Sequence, residues 1–509
     1  MSIRISFLLA FIFGFQCLNA QMQHNCGVDH GMDLENKLRM QRNRDLYSNS
    51  DLAAIRAQRN TIYIPTTIHI CGSTTGSGFA SPSNAFKMLC RLNADFADQN
   101  IQFYLNDIRF IQNDAIYADA YAWSSMGQMS SYKVANNLNI FTNAQVSRSV
   151  AGYYTPSYDF VFIHNGSVNG ISTTITHEVG HFLTLPHTFY GWEGENAVAD
   201  YTNTPAPTTI NGNPVELVAR TNCLLAGDGF CDTDADYISF RFSCPISLLV
   251  QDPTGVVITP NPSFFMSYSS DACMAIFSQE QKNAMLADII ARGWANLPGP
   301  TNSDTLDASS ISAVYPLHFD TITTNSGSTI EFEWDTVGAS GAGNWIFLLE
   351  RTIQGQPVGN AFQSFVSGTN KVNVPINSLQ SNNNYRWSVH PYSDGYTCAD
   401  KSNYFRFTTK TVTGTALNEP DEALQLEIFP NPNSSGTLSL HVRVLEETTA
   451  NIQIYALDGR LMCQVPNLLL KAGSENLNLD ISMFGTGLYF VLLHTEKGII
   501  RQKLIINNQ

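Results

Sequence analysis

The stretch His177-Glu178-Val179-Gly180-His181-Phe182-Leu183-Thr184-Leu185-Pro186-His187 holds three imidazoles and a carboxylate in one short segment. Residues four apart lie on one face of an α-helix, so His177 and His181 can both turn a ring nitrogen toward a single metal ion. His187 reaches that ion only if the helix ends soon after His181 and the chain folds back, which Pro186 favours. Three protein ligands with one position left for water are typical of a catalytic zinc site. Glu178 is then the general base rather than a ligand.

This pattern, H-E-x-x-H with a third histidine after five more residues, resembles the zinc site of metzincin metallopeptidases. Within that clan, the string from Thr176 to Phe189 resembles the pappalysin (cytophagalysin) family. Further along the chain, Phe265-Met266-Ser267-Tyr268 looks like the methionine turn of the clan. The resemblance implies that Met266 forms an apolar floor beneath the zinc. It also implies that Tyr268 hydrogen-bonds the oxyanion that develops during peptide hydrolysis.

Two residues depart from the family pattern. Thr184 stands where metzincins usually have glycine, and Ser267 stands where the family commonly has aspartate. A β-branched residue at positive φ is strained by about 1–3 kcal/mol, so either Thr184 is strained or the turn differs. Gly180 costs about 1 kcal/mol relative to alanine inside a helix, which close packing of that helix would explain. Every proposed metal ligand is present, and we interpret both departures as tuning the site.

Between the two motifs, Gly227–Thr233 resembles the family segment G-D-x-x-x-D-T. The resemblance implies a calcium ion here, which takes six to eight oxygen ligands. Its expected contributors are Asp228, Thr233 and the carbonyl of Cys231. The alternative is a solvated acidic turn, and the sequence leaves both interpretations open.

Composition indicates an exported protein of several domains. At 509 residues the chain exceeds what one core usually serves. A formal net charge of −15 argues against nucleic acid or an anionic membrane surface as partner. Residues 1–20 are typical of a signal peptide, with Arg4, the apolar run Phe7–Phe15 and Leu18-Asn19-Ala20 before Gln21. No other segment approaches the ~20 apolar residues of a membrane span, so no transmembrane anchor is expected.

Ten cysteines suit an oxidising compartment. Cys26-Gly27-Val28-Asp29 resembles the cysteine-switch segment of some metallopeptidase proforms. A thiolate is a good zinc ligand, so Cys26 can occupy the position of the catalytic water. The alternative is an ordinary cysteine in a flexible leader. If the switch exists, activation requires removal of roughly residues 21–57, and the basic stretch Arg39–Arg44 offers cleavage sites.

The other cysteines allow several pairings. Four of them lie around the Gly227–Thr233 loop, namely Cys223, Cys231, Cys244 and Cys273. We expect them to form two bridges that hold the loop to the methionine turn, with three connectivities open. Cys71 and Cys90 are predicted to form a third bridge.

Hydrophobic spacing predicts the elements around these motifs. Strands are predicted at Thr61–Cys71, Ile101–Ile111, Leu138–Thr142 and Asp159–His164, and helices at Asn84–Gln99, Ser172–Leu183 and Gln279–Arg292. The segment Val150–Tyr154 resembles the family's edge strand above the cleft. An extended peptide can add to such an edge through main-chain hydrogen bonds. We therefore predict substrate binding along Gly152, Tyr153 and Tyr154.

Beyond Pro300 the sequence has no catalytic cluster and reads as short strands. Residues 305–412 resemble a fibronectin type III module, with Trp334 in an alternating segment and Leu379 before Tyr385 as a tyrosine corner. Its function is either partner binding or spacing, and a spacer is the simpler interpretation. Residues 426–509 resemble the C-terminal sorting domain of type IX secretion. The motifs that carry this resemblance are Ile428–Pro432, Leu457–Arg460, Gly487–Val491 and Lys503–Ile506.

The predicted fold is multi-domain. An α+β metzincin-like catalytic domain, with a twisted mixed sheet and an active-site helix, precedes two all-β sandwich domains. The predicted divisions are a signal peptide (1–20), a propeptide (21–57), the catalytic domain (58–297), a fibronectin type III-like domain (305–412) and a secretion sorting domain (426–509).

The sequence predicts a secreted zinc endopeptidase in which Glu178 takes the proton of a zinc-activated water. Its expected cofactor is Zn²⁺, with Ca²⁺ as a second candidate. Its expected partners are a protein or peptide substrate and the secretion machinery. The sorting-domain resemblance implies export across the outer membrane of a Bacteroidetes-type bacterium. The alternative function is a catalytically inert cell-surface binding or adhesion protein on a metzincin-like scaffold.

Overall fold

The computed structural model describes residues 25–27, 30–58, 61–147, 150–324, 329–411, 424–456, 460–495 and 498–507. The predicted signal peptide and nearly all of the polar linker after residue 411 lie outside these ranges. Within the described residues, the α-helices all precede residue 292, and the later part of the chain is built of strands. The protein is therefore multi-domain, mixed α/β in its first part and largely β in its second.

The first part contains, in chain order, β1 (Asn25–Cys26), α1 (His30–Leu46), α2 (Asn49–Gln58), β2 (Ile62–Gly72), α3 (Pro82–Asp95), β3 (Ile101–Gln112), α4 (Asp114–Ala118), α5 (Trp123–Ser131), β4 (Leu138–Asn143), β5 (Val150–Thr155), β6 (Phe160–His164), α6 (Thr174–Phe182), α7 (Ala197–Tyr201), β7 (Thr209–Ile210), β8 (Asn213–Pro214) and α8 (Gln279–Ala291). The helices and strands predicted above are all present. Their ends differ by a few residues, as helix and strand ends commonly do.

The second part consists of β9 (Ala313–Tyr315), β10 (Asp320–Thr324), β11 (Thr329–Trp334), β12 (Asn344–Ile353), β13 (Gln356–Ser367), β14 (Lys371–Pro375), β15 (Asn384–Tyr392), β16 (Phe405–Thr411), β17 (Leu424–Phe429), β18 (Thr437–Val444), β19 (Thr448–Ala456), β20 (Leu461–Leu470), β21 (Gly473–Asp480), β22 (Gly487–Thr495) and β23 (Gly498–Ile506). Alternation of buried and exposed residues, as in β18 and β19, is the pattern of strands with one face on a core.

A six-stranded sheet in the order β1-β5-β6-β4-β2-β3 organises the first part. Strands β3, β2, β4 and β6 run parallel, and β5 runs antiparallel to β6. The sheet is mixed, as predicted. Its central strands read as continuous apolar runs because helices cover both faces. The larger core lies on the face of α3, α6 and α8, and a smaller core lies on the face of α4 and α5.

Three disulfides form among the described cysteines. Cys223 pairs with Cys231 and Cys244 pairs with Cys273, so one of the open connectivities is now selected. The predicted Cys71–Cys90 bridge is wrong. Cys71 is a buried free thiol in the smaller core, whereas α3 carries Cys90 on the opposite face of the sheet, where it bonds to Cys398. Alternation along β2 decides which face Cys71 takes, and the sheet then separates it from α3.

Leader helices α1 and α2 pack into the larger core. Met40 and Leu52 are buried there, and Asn43 donates to Asp288 of α8 at 2.9 Å. The guanidinium groups of Arg39 and Arg44 donate to the carbonyls of Phe182 and Gly229. Cleavage at the predicted basic stretch therefore requires α1 to open first, because both arginines are held within a packed helix.

Strands β9–β16 form two sheets, in the orders β10-β16-β15-β12-β13 and β14-β11-β9, around a core rich in aromatic residues. The backbone N–H of Gln380 donates to the Tyr385 hydroxyl at 2.6 Å, which confirms the hydrogen bond expected of a tyrosine corner. This unit is attached to α3 by the Cys90–Cys398 bridge. It also contacts β3, where Leu105 N–H donates to the Asp394 carbonyl at 2.8 Å. The attachment favours a fixed support over the predicted spacer.

Strands β17–β23 form a second pair of sheets, in the orders β17-β18-β21 and β20-β19-β22-β23, with their own apolar core. Each core lies between two sheets, the arrangement of a β-sandwich. Among the described residues, no helix combines the length and apolar character needed to cross a membrane.

Candidate metal centre

Helix α6 ends in a turn that sends the chain back toward its own axis. The N–H of Leu185 donates to the Gly180 carbonyl and the N–H of Thr184 to the His181 carbonyl, the two bonds of a Schellman motif. Thr184 takes φ 79° and is fully buried. The expected break after the helix is therefore present. The sequence left open whether Thr184 is strained or the turn differs from that of metzincins. Thr184 is strained, because a β-branched residue adopts a backbone conformation that favours glycine.

The turn brings all three histidine rings together. Nε2 of His181 lies 3.1 Å from Nε2 of His177 and 3.1 Å from Nε2 of His187. On the far side of two rings, Nδ1 of His177 lies 2.7 Å from the Phe265 carbonyl, and Nδ1 of His181 lies 2.7 Å from the Leu185 carbonyl. A carbonyl accepts only, so each Nδ1 carries the proton and each Nε2 presents a lone pair.

Lone pairs that face one another repel, and a cation between them removes that repulsion. Nitrogens held 2.0–2.1 Å from a tetrahedral zinc ion are roughly 3.4 Å apart, close to the observed separations. Burial, followed by the neighbouring rings of His187 and His177, holds the pKa of His181 well below its ordinary value. Neutral imidazole is the form that binds metal. The three histidines therefore fit a zinc ion.

His187 is oriented by groups beyond the cluster. Its ring stacks on Phe189 with centroids 4.5 Å apart, and its Nδ1 lies 3.5 Å from a carboxylate oxygen of Glu193. Metal-binding histidines commonly have a carboxylate or carbonyl on the second nitrogen, which fixes the ring and raises its basicity. Sequence spacing does not identify Glu193, because its reach to His187 depends on the loop after the turn.

Cys26 of the leader lies in the same cluster. Its Sγ and one nitrogen from each of the three histidines all lie within 4.8 Å of one another. The thiol also donates to Oε2 of Glu178 at 3.5 Å. The structure thus brings the predicted switch cysteine, the three predicted zinc ligands and the predicted general base to one place.

The carboxylate of Glu178 is placed by a close approach of helix α6 to strand β5. A Cβ built at Gly152 would lie 2.8 Å from Cγ2 of Thr174 and 2.9 Å from Cγ of Glu178. Only glycine allows this separation of helix and strand. The glycine predicted to bind substrate therefore also sets the position of Glu178.

Met266 packs against helix α6 at Gly180, and its role as a floor beneath the zinc stays a prediction. A Cβ built at Gly180 would lie 2.3 Å from the Met266 sulfur, so glycine in α6 is explained by packing on the methionine turn. Tyr268 packs its ring against those of His187 and Phe189, with centroids 5.1 and 4.5 Å apart. Its hydroxyl lies 3.5 Å from the carbonyl of Cys26, at the edge of the cleft.

Asp236 supports the methionine turn, a role that its position in the sequence does not indicate. It is buried, and its Oδ2 accepts from the hydroxyls of Thr188 and Ser267 at 2.7 and 3.2 Å. Burial raises its pKa to about 6, and the hydrogen bonds from Thr188 and Ser267 oppose that rise. Ser267, at the position where the family commonly has aspartate, thus binds a carboxylate supplied from another part of the chain.

The edge strand β5 is paired with the leader. Strand β1 lies parallel to it with Cys26 opposite Gly152, and the N–H of Gly27 donates to the Gly152 carbonyl at 2.8 Å. The side chains of Tyr153 and Tyr154 are both buried. The Tyr153 hydroxyl donates to the Ala120 carbonyl, and the Tyr154 hydroxyl donates to Asp159. If a substrate peptide binds along β5 as predicted, it can contact only the backbone of Tyr153 and Tyr154, because their side chains are buried.

The residues predicted to bind calcium have hydrogen-bond partners within the chain. The hydroxyl of Thr233 donates to Asp228 and to the Phe230 carbonyl, and the Cys231 carbonyl accepts from Arg220. The ammonium of Lys37, which donates to the Gly227 carbonyl at 2.6 Å, already supplies a cation. Calcium remains a prediction without support.

Known proteins resemble this chain in two respects, its C-terminal tail and its similarity to metalloproteases. Residues 427–507 match the family described as "Secretion system C-terminal sorting domain". This tail indicates that the chain is exported, to the cell surface or beyond it.

Three fungal proteins are each similar to about half of this chain. They are extracellular metalloproteases of Pyricularia oryzae (25% identical over 258 residues, 47% of this chain and 78% of the relative), Neurospora crassa (24% over 304 residues, 55% and 94%) and Verticillium alfalfae (26% over 248 residues, 44% and 74%).

Proposed function

We propose that this protein is a secreted zinc endopeptidase of the metzincin type and that it belongs to the pappalysin family. The observation that carries the proposal is the convergence of three histidine Nε2 atoms beside the buried carboxylate of Glu178. The likeness to extracellular metalloproteases and the sorting tail support the coarser statement of a secreted metalloprotease.

In this proposal His177, His181 and His187 hold the metal. A zinc ion bound there supplies a Lewis acid that lowers the pKa of a water and polarises the scissile carbonyl. Glu178 accepts the proton of the attacking water and returns it to the leaving amine. The packing of its Cγ on Gly152 supports a role for this carboxylate between the histidines and the strand proposed to receive the peptide. Tyr268 donates its hydroxyl to the developing oxyanion of the substrate.

The proposed domain organisation follows the separate cores. Residues 58–297 form the catalytic domain, 305–412 the fibronectin type III-like domain and 426–509 the sorting domain. The two later cores and the Tyr385 corner support this division. The contacts of α1 and α2 modify it, because they extend the folded catalytic unit into the predicted propeptide.

Casein hydrolysis tests the proposed function. We expect the exported full-length chain, or its processed form, to cleave casein. A chelator should stop cleavage and added Zn²⁺ should restore it, because the three neutral imidazoles hold the metal reversibly. Purified chain that contains bound zinc but cleaves no casein, with the leader present or removed, would instead support an inert binding protein.

We further propose that Cys26 keeps the chain latent. With zinc bound and the thiol proton passed to Glu178, the Cys26 thiolate would take the place of the catalytic water, and the pairing of β1 with β5 covers the edge that a substrate needs. Both contacts come from one short segment. Its release would therefore give water access to the metal site and a substrate peptide access to β5 at the same time.

We expect Cys26→Ala to raise casein hydrolysis by the unprocessed chain roughly tenfold or more, since every 1.4 kcal/mol lost from the latch changes the open fraction tenfold. Initial rates measured before any cleavage of the leader check this. Cys463→Ala, which removes another free cysteine far from the site, is the matched control. Equal latency of Cys26→Ala and the wild type would rule out the switch.

A further inference from the structure

The last carbonyl of helix α6 is bound by two arginine side chains. In the turn that follows the helix, the carbonyls of Gly180 and His181 accept from backbone N–H groups. The Phe182 carbonyl accepts from Nη2 of Arg39 at 2.6 Å and from Nη2 of Arg292 at 3.0 Å. Phe182 is fully buried, and a buried carbonyl that lacks a donor is costly. Both guanidinium groups also bring positive charge to the helix C-terminus, where the macrodipole favours it.

Arg292, which follows helix α8, also binds the connection between β5 and β6. Its Nη1 and Nη2 each donate to the Asp159 carboxylate at 3.0 Å, and its Nε donates to Asp288 at 2.7 Å. Asp159 in turn accepts from the Tyr154 hydroxyl of β5 at 3.0 Å. The guanidinium carbon lies 4.1 Å from the centroid of the Phe182 ring. One side chain thus joins the helix that carries two predicted metal ligands to the strand predicted to bind substrate.

Arg39 of the leader repeats these contacts. Its Nη1 donates to the Tyr154 hydroxyl at 3.0 Å, and its Nε lies 3.3 Å from a carboxylate oxygen of Asp288. The Phe182 carbonyl is shared by both arginines. The two guanidinium groups balance the two carboxylates of this cluster while the leader is present. Departure of the leader would leave Arg292 as the guanidinium that binds the end of α6.

We propose that Arg292 is a positioning residue for peptide hydrolysis and that Arg39 shares its task while the leader is present. The inference rests on the proposed function. Near the middle of α6, Glu178 packs on Gly152 of β5. Arg292 ties the end of α6 to the same strand through Asp159, so it opposes rotation of the helix about the Gly152 contact. Misplacement of a reacting group by about 1 Å can cost roughly 10²-fold in rate.

Peptide kinetics and zinc content test this role in the casein-cleaving form obtained from the full-length chain once the leader is removed. Arg292→Met keeps an unbranched side chain and removes the charge and the donors. We expect kcat per bound zinc to fall roughly 10²-fold with KM nearly unchanged. Zinc should stay bound because His177 and His181 are oriented by the carbonyls of Phe265 and Leu185. Arg292→Lys, which keeps a cation at the helix end, should recover part of the loss.

Hydrogen exchange tests the shared role of Arg39 without relying on hydrolysis. In the leader-bearing chain, Arg39→Met and Arg292→Met should each keep most of the amide protection at the end of α6. The reason is that the other guanidinium still binds the Phe182 carbonyl. The double variant should lose protection roughly tenfold or more beyond the product of the two single effects, the mark of groups that substitute for one another.

Arg386→Met is the matched control. The side chains of Arg386 and Arg292 have the same exposure, 14%, and Nε of Arg386 also binds a carboxylate, that of Glu350 at 2.7 Å. Arg386 lies in the second part of the chain, so its variant should keep the wild-type kcat and α6 protection. Should Arg292→Met fail to fold, Asp159→Asn weakens only the link to β5. It should lower kcat per bound zinc roughly tenfold, the effect of a weakened charged hydrogen bond.

Some outcomes overturn the inference and others the function. Unchanged kcat in Arg292→Met and Asp159→Asn overturns the positioning role, while hydrolysis itself upholds the proposed function. Turnover that falls only in proportion to bound zinc, or an equal loss in Arg386→Met, overturns it as well. Wild-type α6 protection in the double variant overturns the shared role of Arg39. A wild type that binds zinc and cleaves no peptide, with the leader present or removed, defeats the proposed function, and this inference fails with it.

Discussion

Glu178→Ala is expected to keep bound zinc and lose peptide hydrolysis by roughly 10²- to 10⁴-fold, the usual contribution of a positioned acid–base group. The metal should remain because the histidine rings are held independently of Glu178. His177 and His181 donate to the carbonyls of Phe265 and Leu185, and neither bond involves Glu178. The loss should fall mainly on kcat, since Glu178 acts on the proton in transit and not on the bound peptide.

The measurement pairs zinc content per chain with casein turnover, for Glu178→Ala and the isosteric Glu178→Gln. Glu331→Gln, on the exposed face of the second part of the chain, serves as the matched control and should behave as wild type. Undiminished turnover in Glu178→Gln contradicts a proton-transfer role. Loss of zinc together with turnover shifts the role of Glu178 to metal binding.

Much of the site could be predicted from the sequence because its three histidines and Glu178 lie within eleven consecutive residues. The four-residue spacing fixes which two histidines share a face of α6, and six more residues with a proline fix where the third must return. Thr184 shows the limit of propensity. The geometry that brings His187 back requires φ 79°, and the chain adopts it with a β-branched residue in a buried turn.

Groups that reach the site from distant parts of the chain were not predictable in this way. Asp236 hydrogen-bonds Ser267 across the fold, and nothing near Asp236 in sequence indicates this contact. Cys90 and Cys398 are 308 residues apart, and their pairing depends on how the second part packs against α3. The main chain of the β5 tyrosines stays a predicted substrate site, and alternation along the strand turns their side chains to opposite faces of the sheet.

The leader also combines a feature that nearby sequence predicts with contacts that it does not predict. A cysteine close to the N-terminus is a local signal, and the structure does place Cys26 at the histidines. The extent of the leader's packing is not local information. Burial of Met40 and Leu52 in the larger core means that α1 and α2 contribute to its stability, while among the described leader residues the short segment around Cys26 reaches the cleft.

His187→Ala is expected to abolish hydrolysis by removing stable zinc binding. Two histidines on one helix face leave a site with too few protein ligands for a catalytic zinc, which normally has three. The vacated space lies between Phe189 and Tyr268, whose rings touch His187, and neither ring carries an imidazole nitrogen that could replace the lost ligand. We expect a loss of zinc affinity larger than the roughly 10- to 100-fold that follows from removing an outer partner of a ligand.

Glu193→Gln provides the graded comparison for His187→Ala. The Glu193 carboxylate lies 3.5 Å from Nδ1 of His187, so the amide should weaken zinc affinity roughly 10- to 100-fold and leave residual hydrolysis at saturating zinc. Competition with a chromogenic chelator measures both affinities, and His441→Ala in the C-terminal unit is the matched histidine control. Wild-type zinc affinity in His187→Ala would mean that the third imidazole is not a ligand. That result would contradict the proposal, in which the three close Nε2 atoms bind one ion.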